Sequence, residues 1–392
     1  MNAFDKLPEG IKYVGVNDNA TEYFEAQFPI PQGMSYNSYT VTGGKTAVID
    51  GVERSFSGEW LEKIALALNG REPDFLVIQH MEPDHSGSVS AFAEKYPGAK
   101  LVGNAKTFAM LKQFTGNDYT ARSVTVADGG TLDLGGRELK FVFAPMVHWP
   151  EVMTTYDEQT KTLFSADAFG RFGRTDADIE WLSEARRYYF GIVGKYGMQV
   201  QALLKKAAAP GIENILPLHG PALTGEVQKY ISVYDKWSSY TPEEEGVLVA
   251  YTSVYGNTKK AALYLADKLK EKGVNVKAVD IAECDAKQYL SEAVAQAFRF
   301  DKLVIATTTY NAGIFPPMHG FINALAERGF KNRAVGIVEN GSWAPMAAKT
   351  VKAMLENSKD IRFFDTVATL RSAPDKAAFA ALDALAGEIA DN

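Results

Sequence analysis

Four side chains that can bind a metal ion fall within six consecutive residues, directly after an apolar run. Residues 75–78 read Phe-Leu-Val-Ile, and residues 80–85 read His-Met-Glu-Pro-Asp-His. A short continuous apolar run predicts a buried strand. The residues after it would lie on the loop at the carboxyl end of that strand, where α/β proteins place their chemistry. The sequence therefore predicts a metal site at the edge of a sheet.

Composition limits the classes of protein that this chain can represent. With 392 residues it exceeds what one hydrophobic core usually serves, so more than one domain is expected. The net charge of −7 argues against a general nucleic-acid surface. The single cysteine, Cys284, excludes an internal disulfide and a cysteine-rich metal site. With no signal-peptide pattern and no apolar run near 20 residues, we expect a cytoplasmic protein without a membrane span.

The first part of the chain is dense in short β-rich runs with helical patterns between them. Strands are predicted at 11–16, 38–41, 46–49, 101–102, 123–126, 139–143, 153–156, 162–165 and 214–218, and helices at 60–68, 178–208 and 222–238. This mixture predicts a sandwich of sheets flanked by helices.

The pattern changes after residues 238–246, a polar segment with a proline and three consecutive glutamates that we interpret as a linker. Five strands then alternate with helical segments, at 247–251, 274–279, 303–307, 334–338 and 362–370. This alternation is typical of a doubly wound parallel sheet. We therefore predict two domains, residues 1–245 and 246–392.

Three loops of the second domain follow predicted strands and carry unusual residues. The loop at 252–258 has hydroxyl groups, a glycine and an asparagine before a helix, which suits a phosphate, although such turns also serve as plain helix caps. The loops at 307–313 and 339–343 add two aromatic rings, those of Tyr310 and Trp343. The candidate ligand contacts are Thr252, Ser253, Tyr255, Gly256, Asn257, Thr258, Thr309, Tyr310, Asn311, Gly313, Asn340, Gly341, Ser342 and Trp343.

A phosphate site with aromatic walls suits a flavin mononucleotide (FMN), and residues 246–392 resemble the flavodoxin family. The resemblance implies a flavodoxin-like fold with FMN at these loops. Dinucleotides and nucleoside triphosphates are not the expected ligands, since neither of their glycine-rich motifs is present.

Three further candidate metal ligands, His148, Asp167 and His219, each follow a predicted strand of the first domain. A lone histidine in a loop is usually no ligand, but four of the five histidines lie at such junctions. His319, the fifth, stands apart and is interpreted as structural or as lining the flavin site. Seven histidine and carboxylate side chains exceed one tetrahedral site, which favours two metals bridged by a carboxylate.

The spacing His-x-Glu-x-Asp-His resembles the metallo-β-lactamase fold, an αββα sandwich whose usual motif is His-x-His-x-Asp-His with two zinc ions. Here Glu82 replaces the second histidine. A carboxylate makes the site harder and favours iron over zinc. Followed by a flavodoxin-like domain, the arrangement resembles the flavodiiron proteins over essentially the whole chain. In that family His80, Glu82 and His148 would hold one iron, Asp84, His85 and His219 the other, and Asp167 would bridge them.

The resemblance implies an oxidoreductase that reduces nitric oxide to nitrous oxide, dioxygen to water, or both. Electrons would pass from a donor of the rubredoxin type through FMN to the di-iron centre. It also implies a head-to-tail homodimer, or a dimer of such dimers. Three alternatives remain at this stage: an oxidase of a reduced deazaflavin coenzyme, a dinuclear metallo-hydrolase with an appended flavodoxin, and a pure electron carrier.

Overall fold

The computed structural model describes residue 4 and residues 6–208, 211–287 and 289–392. The chain divides into two compact units, Met1–Ala26 with Ile30–Asp235, and Lys236–Asn392 with the short segment Gln27–Pro29. Within the described residues, no helix is both long and apolar enough to cross a membrane.

Short strands dominate the chain up to residue 226. In chain order they are β1 Ile11–Tyr13, β2 Val16–Asp18, β3 Tyr23–Phe24, β4 Phe28–Pro29, β5 Met34–Tyr36, β6 Tyr39–Thr42, β7 Thr46–Ile49, β8 Phe75–Val77, β9 Lys100–Gly103, β10 Ser123–Thr125, β11 Thr131–Asp133, β12 Glu138–Phe143, β13 Met153–Asp157, β14 Thr162–Phe164, β15 Asn214–Leu216 and β16 Leu223–Thr224.

Helices lie between these strands and after them. They are α1 Ser57–Ala67, α2 Pro83–Ser86, α3 Val89–Lys95, α4 Ala105–Thr115, α5 Trp181–Tyr188, α6 Gly197–Ala208 and α7 Val227–Ser238. Single turns of 3₁₀ helix span Arg54–Phe56, Thr120–Arg122 and Gly194–Tyr196, and a π-helical turn spans Tyr189–Val193.

Two six-stranded sheets form the first unit. One has the order β1-β6-β7-β8-β9-β10, with β7 to β10 parallel, and the other runs β11 to β16 in sequence order. Buried side chains from both sheets make one core cluster, for example Val41 and Val77 with Leu139 and Phe164. The predicted αββα sandwich is confirmed.

Several predicted boundaries were wrong. The predicted strand at 11–16 is interrupted, and its last residue begins β2, which pairs with β5. The predicted helix at 178–208 is broken by the π-helical and 3₁₀ turns between α5 and α6. The predicted helix at 222–238 begins only at Val227, because Leu223 and Thr224 pair with β15. Apolar periodicity cannot reveal a strand of only two residues.

The second unit alternates strands and helices. The strands are β17 Glu244–Tyr251, β18 Val276–Asp280, β19 Phe300–Tyr310, β20 Gly313–Ile314, β21 Arg333–Asn340 and β22 Ile361–Leu370. The helices are α8 Asn257–Glu271, α9 Ile281–Ala286, α10 Leu290–Arg299, α11 Pro316–Glu327, α12 Ala347–Met354 and α13 Lys376–Ala390.

The main sheet of this unit is parallel, with the order β18-β17-β19-β21-β22. Counted within the unit, this is the 2-1-3-4-5 order of flavodoxins, so the predicted doubly wound sheet is confirmed. The strand order reverses between β17 and β19, and ligands of such sheets bind outside that point. The last three residues of the predicted linker already belong to β17. The division at 245/246 stays a prediction.

Arg333, at the start of β21, joins several chain segments of the second unit. Its side chain is buried, and burial lowers the pKa of the guanidinium to about 10. It donates hydrogen bonds to the backbone carbonyls of Tyr240, Phe298, Phe300, Lys331 and Asn332. One side chain therefore satisfies carbonyls of the linker, of α10, of β19 and of the two residues directly before β21.

We expect Arg333→Met to destabilise the second unit by about 3 kcal/mol, because each buried acceptor left unpaired costs about 1–3 kcal/mol. The measurement is urea unfolding followed by circular dichroism. Arg362→Met, at an exposed position of β22, is the matched control and should change stability by less than about 0.5 kcal/mol. Equal effects of the two variants would contradict this role of Arg333.

Candidate functional site

Strand β8 and helix α2 present four of the predicted ligands. The strand ends at Val77, and His80 and Glu82 lie on the loop that follows. Pro83 then starts α2, since proline is well suited to the first helical position. The first turn of α2 carries Asp84 and His85, so both pairs lie close together at one end of the sheet.

The other three ligands come from loops of the second sheet. His148 lies between β12 and β13, and Asp167 and His219 follow β14 and β15. Because β14 and β15 are parallel, Asp167 and His219 emerge at the same edge. Ala166 and Phe169 flank Asp167 with φ angles of 51° and 67°, a left-handed backbone that is strained for such residues and is found at functional sites.

All seven predicted ligands come together, in two groups. Within each group the candidate ligand atoms lie within 4.8 Å of one another. The first group consists of His80, Glu82, His148 and Asp167, and the second of Asp84, His85 and His219.

The carboxylate of Asp167 lies between the two groups. Its Oδ2 is 3.0 Å from Nε2 of His148 and 3.4 Å from Nε2 of His80. Its Oδ1 is 3.3 Å from Nε2 of His85 and 3.7 Å from Nε2 of His219. Each oxygen therefore faces one pair of imidazoles, which is the arrangement of a bridging carboxylate.

The remaining two carboxylates are divided in the same way. Oε2 of Glu82 lies 3.2 Å from Nε2 of His80 and 3.1 Å from Nε2 of His148. Oδ2 of Asp84 lies 3.2 Å from Nε2 of His85 and 3.3 Å from Nε2 of His219. Each group thus contains two imidazoles, one carboxylate of its own and one oxygen of the shared carboxylate.

Hydrogen bonds on the far side of two rings orient them. Nδ1 of His80 lies 2.9 Å from Oε1 of Glu151, and Nδ1 of His219 lies 2.7 Å from the carbonyl oxygen of Ser35. A proton on each Nδ1 leaves Nε2 free to bind a metal. Sequence reasoning missed Glu151. The available signal was a carboxylate three residues after His148, on the same loop.

These residues fit a pair of metal ions. Nε2 of His85 and Nε2 of His219 face each other at 3.1 Å, and neither oxygen of Asp84 accepts a hydrogen bond from any described residue. Oδ1 of Asp167 is likewise buried without a hydrogen-bond donor. Buried carboxylate oxygens without a hydrogen-bond donor cost free energy unless a cation binds to them. Nitrogen and oxygen donors in two sets suit a divalent cation in each, and the carboxylates favour iron.

The protonation of the site reflects the competition between burial and charge. Burial lowers the pKa of His148, but hydrogen bonds to Asp167 and Glu82 outweigh it and raise that pKa to about 9. Burial opposes the charge on His80 too, yet the carboxylates of Asp167 and Glu151 hold its pKa well above the ordinary value. Without metal, these imidazoles carry protons where a cation would bind.

Aromatic side chains close the site around His219. The rings of Phe24, Tyr36 and Tyr188 lie 5.6, 6.1 and 5.5 Å from the His219 ring, centroid to centroid. The Tyr188 hydroxyl is buried and has no hydrogen-bond partner among the described residues. Burial, followed by the negative charge of Asp167, raises its pKa well above the ordinary value, so it stays protonated.

The second unit has a pocket at the carboxyl ends of its strands. It is lined by Ser253, Val254, Tyr255, Asn257, Thr258, Thr308, Thr309, Tyr310, Asn340, Ser342, Trp343 and Ser372. Nine of these were predicted. Val254, Thr308 and Ser372 were not, and Ser372 follows β22, a fourth strand that sequence reasoning did not use.

Other predicted contacts lie beside this lining. Thr252 is buried, with its hydroxyl 2.8 Å from that of Thr307. Gly256, with a φ of +88°, turns the chain into α8, and its N–H donates to Oγ of Ser253. Asn311, Gly313 and Gly341 belong to the loops that carry the lining residues. His319 lies exposed on α11, outside the lining.

Asn340 ties the walls of the pocket together. Its Nδ2 donates to Oγ1 of Thr258 at 3.2 Å and to the carbonyl oxygen of Ser372 at 2.9 Å. The N–H of Ser372 donates back to Oδ1 of Asn340 at 3.0 Å. The start of α8 and the loop after β22 are thereby fixed to the end of β21.

The pocket fits FMN. Hydroxyl groups and the N-terminus of α8 offer donors for a phosphate. The side chains of Tyr255 and Trp343 are 92% and 89% exposed, and that of Tyr310 is 43% exposed. Such exposure is unusual for large aromatic rings and leaves flat faces for a flavin ring.

Metal binding should release protons, because His148 and His80 are protonated in the metal-free protein. Below about pH 9 the affinity for ferrous iron should fall at least tenfold for each unit of pH. Anaerobic titration against a competing chelator at several pH values measures this dependence. Metal binding to His148→Asn should release one proton fewer than metal binding to the wild type. Metal binding to the control, His319→Gln, should release as many protons as the wild type. A pH-independent affinity would contradict this account.

Gly341→Ala should weaken FMN binding about tenfold or more, since overpacking typically costs 1–3 kcal/mol. A Cβ at this position would lie 2.7 Å from Cα of Pro345, so the loop that carries Ser342 and Trp343 would have to move. Flavin fluorescence during titration of the FMN-free protein gives the affinity. Gly320→Ala, where a Cβ meets nothing within 4 Å, is the control and should bind normally. Equal affinities would argue against a role for this loop.

Models of two protein families match the chain, one for each unit. Residues 34–220 match the model described as ODP family beta lactamase, and residues 246–373 match that described as NADPH-dependent FMN reductase. The first range contains all seven members of the metal cluster, and the second contains every lining residue of the flavin pocket.

Similar proteins combine the same two domains. The anaerobic nitric oxide reductase flavorubredoxin of Vibrio vulnificus is 27% identical, over 93% of this chain and 75% of its own length. A solved structure of the rubredoxin oxygen:oxidoreductase of Desulfovibrio gigas superposes with a TM-score of 0.89 at 26% identity, covering 98% and 97% of the two chains. The flavodiiron protein of Giardia intestinalis shares the fold, with a TM-score of 0.86 at 24% identity over 98% and 96% of the two chains. With its candidate metal-ligand groups and a pocket that fits FMN, this chain joins a metallo-β-lactamase-like domain to an FMN reductase domain, matches flavodiiron proteins strongly in sequence and structure, and is an oxidoreductase that uses FMN and a non-heme di-iron centre.

Proposed function

We propose that this protein reduces nitric oxide to nitrous oxide, dioxygen to water, or both, with electrons supplied by a donor of the rubredoxin type. The names of the Vibrio and Desulfovibrio relatives support the substrates and the donor. We further propose that it acts in the cytoplasm. The observation that carries the proposal is the division of the Asp167 carboxylate between two buried ligand groups.

In this proposal, each ligand group holds one iron ion. His80, Glu82 and His148 bind the first ion, whereas Asp84, His85 and His219 bind the second. Asp167 bridges the two. When bound, a ferrous pair supplies two electrons and adjacent coordination sites for a diatomic molecule, and FMN supplies further electrons and links one-electron to two-electron steps.

The protein's own side chains then have three tasks. Glu151 and the Ser35 carbonyl hold the rings of His80 and His219 with Nε2 directed into the site. Phe24, Tyr36 and Tyr188 surround His219 and limit access of water. The Tyr188 hydroxyl, protonated and without another partner among the described residues, offers a hydrogen bond to a substrate oxygen.

We propose that a head-to-tail homodimer, or a dimer of such dimers, brings the flavin of one chain to the irons of another. Support comes from the rim of the FMN pocket, where Val254, Tyr255, Tyr310 and Trp343 are all exposed. A cluster of exposed apolar side chains favours contact with another protein surface. A fully active monomer would exclude this arrangement.

Steady-state turnover of the iron- and FMN-loaded protein with reduced rubredoxin tests the proposed activity. Nitric oxide and dioxygen are offered separately as acceptors. Asp167→Ala should lower turnover at least a hundredfold with FMN still bound, because the bridge is lost. His319→Gln, at an exposed position outside the pocket lining, is the control and should turn over normally.

Other outcomes identify the competing functions. Two zinc ions per chain, with hydrolysis that survives iron removal, would favour a metallo-hydrolase. Full turnover by Asp167→Ala and by His148→Ala would favour a pure electron carrier. Oxidation of a reduced deazaflavin coenzyme without rubredoxin would favour the deazaflavin oxidase.

A further inference from the structure

The buried histidines of the cluster differ in what their Nδ1 atoms contact. Nδ1 of His80 meets the carboxylate of Glu151 at 2.9 Å, and Nδ1 of His219 meets the carbonyl oxygen of Ser35 at 2.7 Å. Nδ1 of His85 is buried and has no hydrogen-bond partner among the described residues. Of the two partners, Glu151 and the Ser35 carbonyl, only Glu151 is negatively charged.

Glu151 is held firmly in this position. It is 1% exposed, and Oε1 accepts a second hydrogen bond from the N–H of Met81 at 2.9 Å. Its backbone carbonyl accepts from Nδ2 of Asn104 at 2.5 Å. It lies on the loop between β12 and β13 that also carries His148. This loop thus supplies His148, a ligand of the first group, and Glu151, which orients His80 of the same group.

The ligands of the two groups are alike in charge, and among the Nδ1 hydrogen bonds of His80 and His219 only that to Glu151 involves a charged partner. Each group has two imidazoles, one carboxylate of its own and one oxygen of Asp167. A carboxylate that accepts the Nδ1 proton raises electron density at Nε2 more than a neutral carbonyl does. A more strongly donating ligand stabilises the ferric state relative to the ferrous state. The first group should therefore be the harder of the two to reduce.

We propose that Glu151 is a positioning residue that makes the two iron sites unequal, lowering the reduction potential of the site that contains His80. This inference rests on the proposed function, because it assumes one iron in each group. With iron in both groups, His85 and His219 would hold the ion that is easier to reduce, and His80 and His148 would hold the ion that is harder to reduce.

Glu151→Gln removes the negative charge of this residue and keeps the shape of its side chain. The amide oxygen can still accept from Nδ1 of His80, but it carries no negative charge. Full-length protein loaded with iron and FMN is titrated anaerobically with dithionite, and the mixed-valent signal is followed by low-temperature electron paramagnetic resonance. The stability constant of the mixed-valent state should fall at least tenfold, which corresponds to about 59 mV less separation between the two potentials.

Glu138→Gln, at an exposed position of β12, removes the same charge without touching a candidate ligand and should leave the separation unchanged. If wild-type protein does not hold two irons per chain, the proposed function fails and this inference with it. If it holds two irons and Glu151→Gln leaves the separation unchanged, only the inference about Glu151 is overturned. Should Glu151→Gln not fold, Glu151→Asp withdraws the charge by one methylene and must shift the separation in the same direction. An unchanged separation in that folded variant overturns the inference as well.

Discussion

The metal centre depends on one buried carboxylate that is shared between two pairs of imidazoles. Asp167 is fully buried, and each of its oxygens faces the Nε2 atoms of one pair. A buried carboxylate is tolerable only where positive charge surrounds it, either protonated imidazoles or metal ions. The same requirement explains why its pKa lies well below the ordinary value despite burial. The strained backbone on both sides of Asp167 is held in place to deliver this single side chain.

The second unit is organised by its strand order rather than by charge. The reversal between β17 and β19 opens a crevice at the carboxyl edge of the sheet. Neutral hydroxyl and amide groups line it, and exposed aromatic rings stand at its rim. Asn340 connects three of the surrounding segments through its single side chain. A flavin bound there would meet walls that already hold one another in position.

Sequence reasoning could select the candidate metal ligands because most of them follow a strand, and the structure brings all seven into two groups. His80, His148, Asp167 and His219 are far apart in the chain, yet strand-to-loop junctions of packed sheets converge on common edges. Glu151 was missed because its role depends on a contact with His80, a residue 71 positions away in the chain. Ser372 was missed for the same reason, since its link to Asn340 exists only once β21 and β22 pair. The broken helix at 178–208 shows that apolar periodicity does not register a π-helical turn.

The sequence by itself predicted two domains, the candidate metal-ligand types and the candidate flavin loops. These follow from local patterns: apolar runs, turn residues and the spacing of histidines and carboxylates. Only the tertiary structure decided how the ligands divide into two groups and which atom of Asp167 faces which group. It also decided which Nδ1 atom receives a carboxylate and which receives none. Such pairings depend on ångström-scale distances between segments distant in sequence, because a hydrogen bond or a ligand group forms only where the fold brings both partners together.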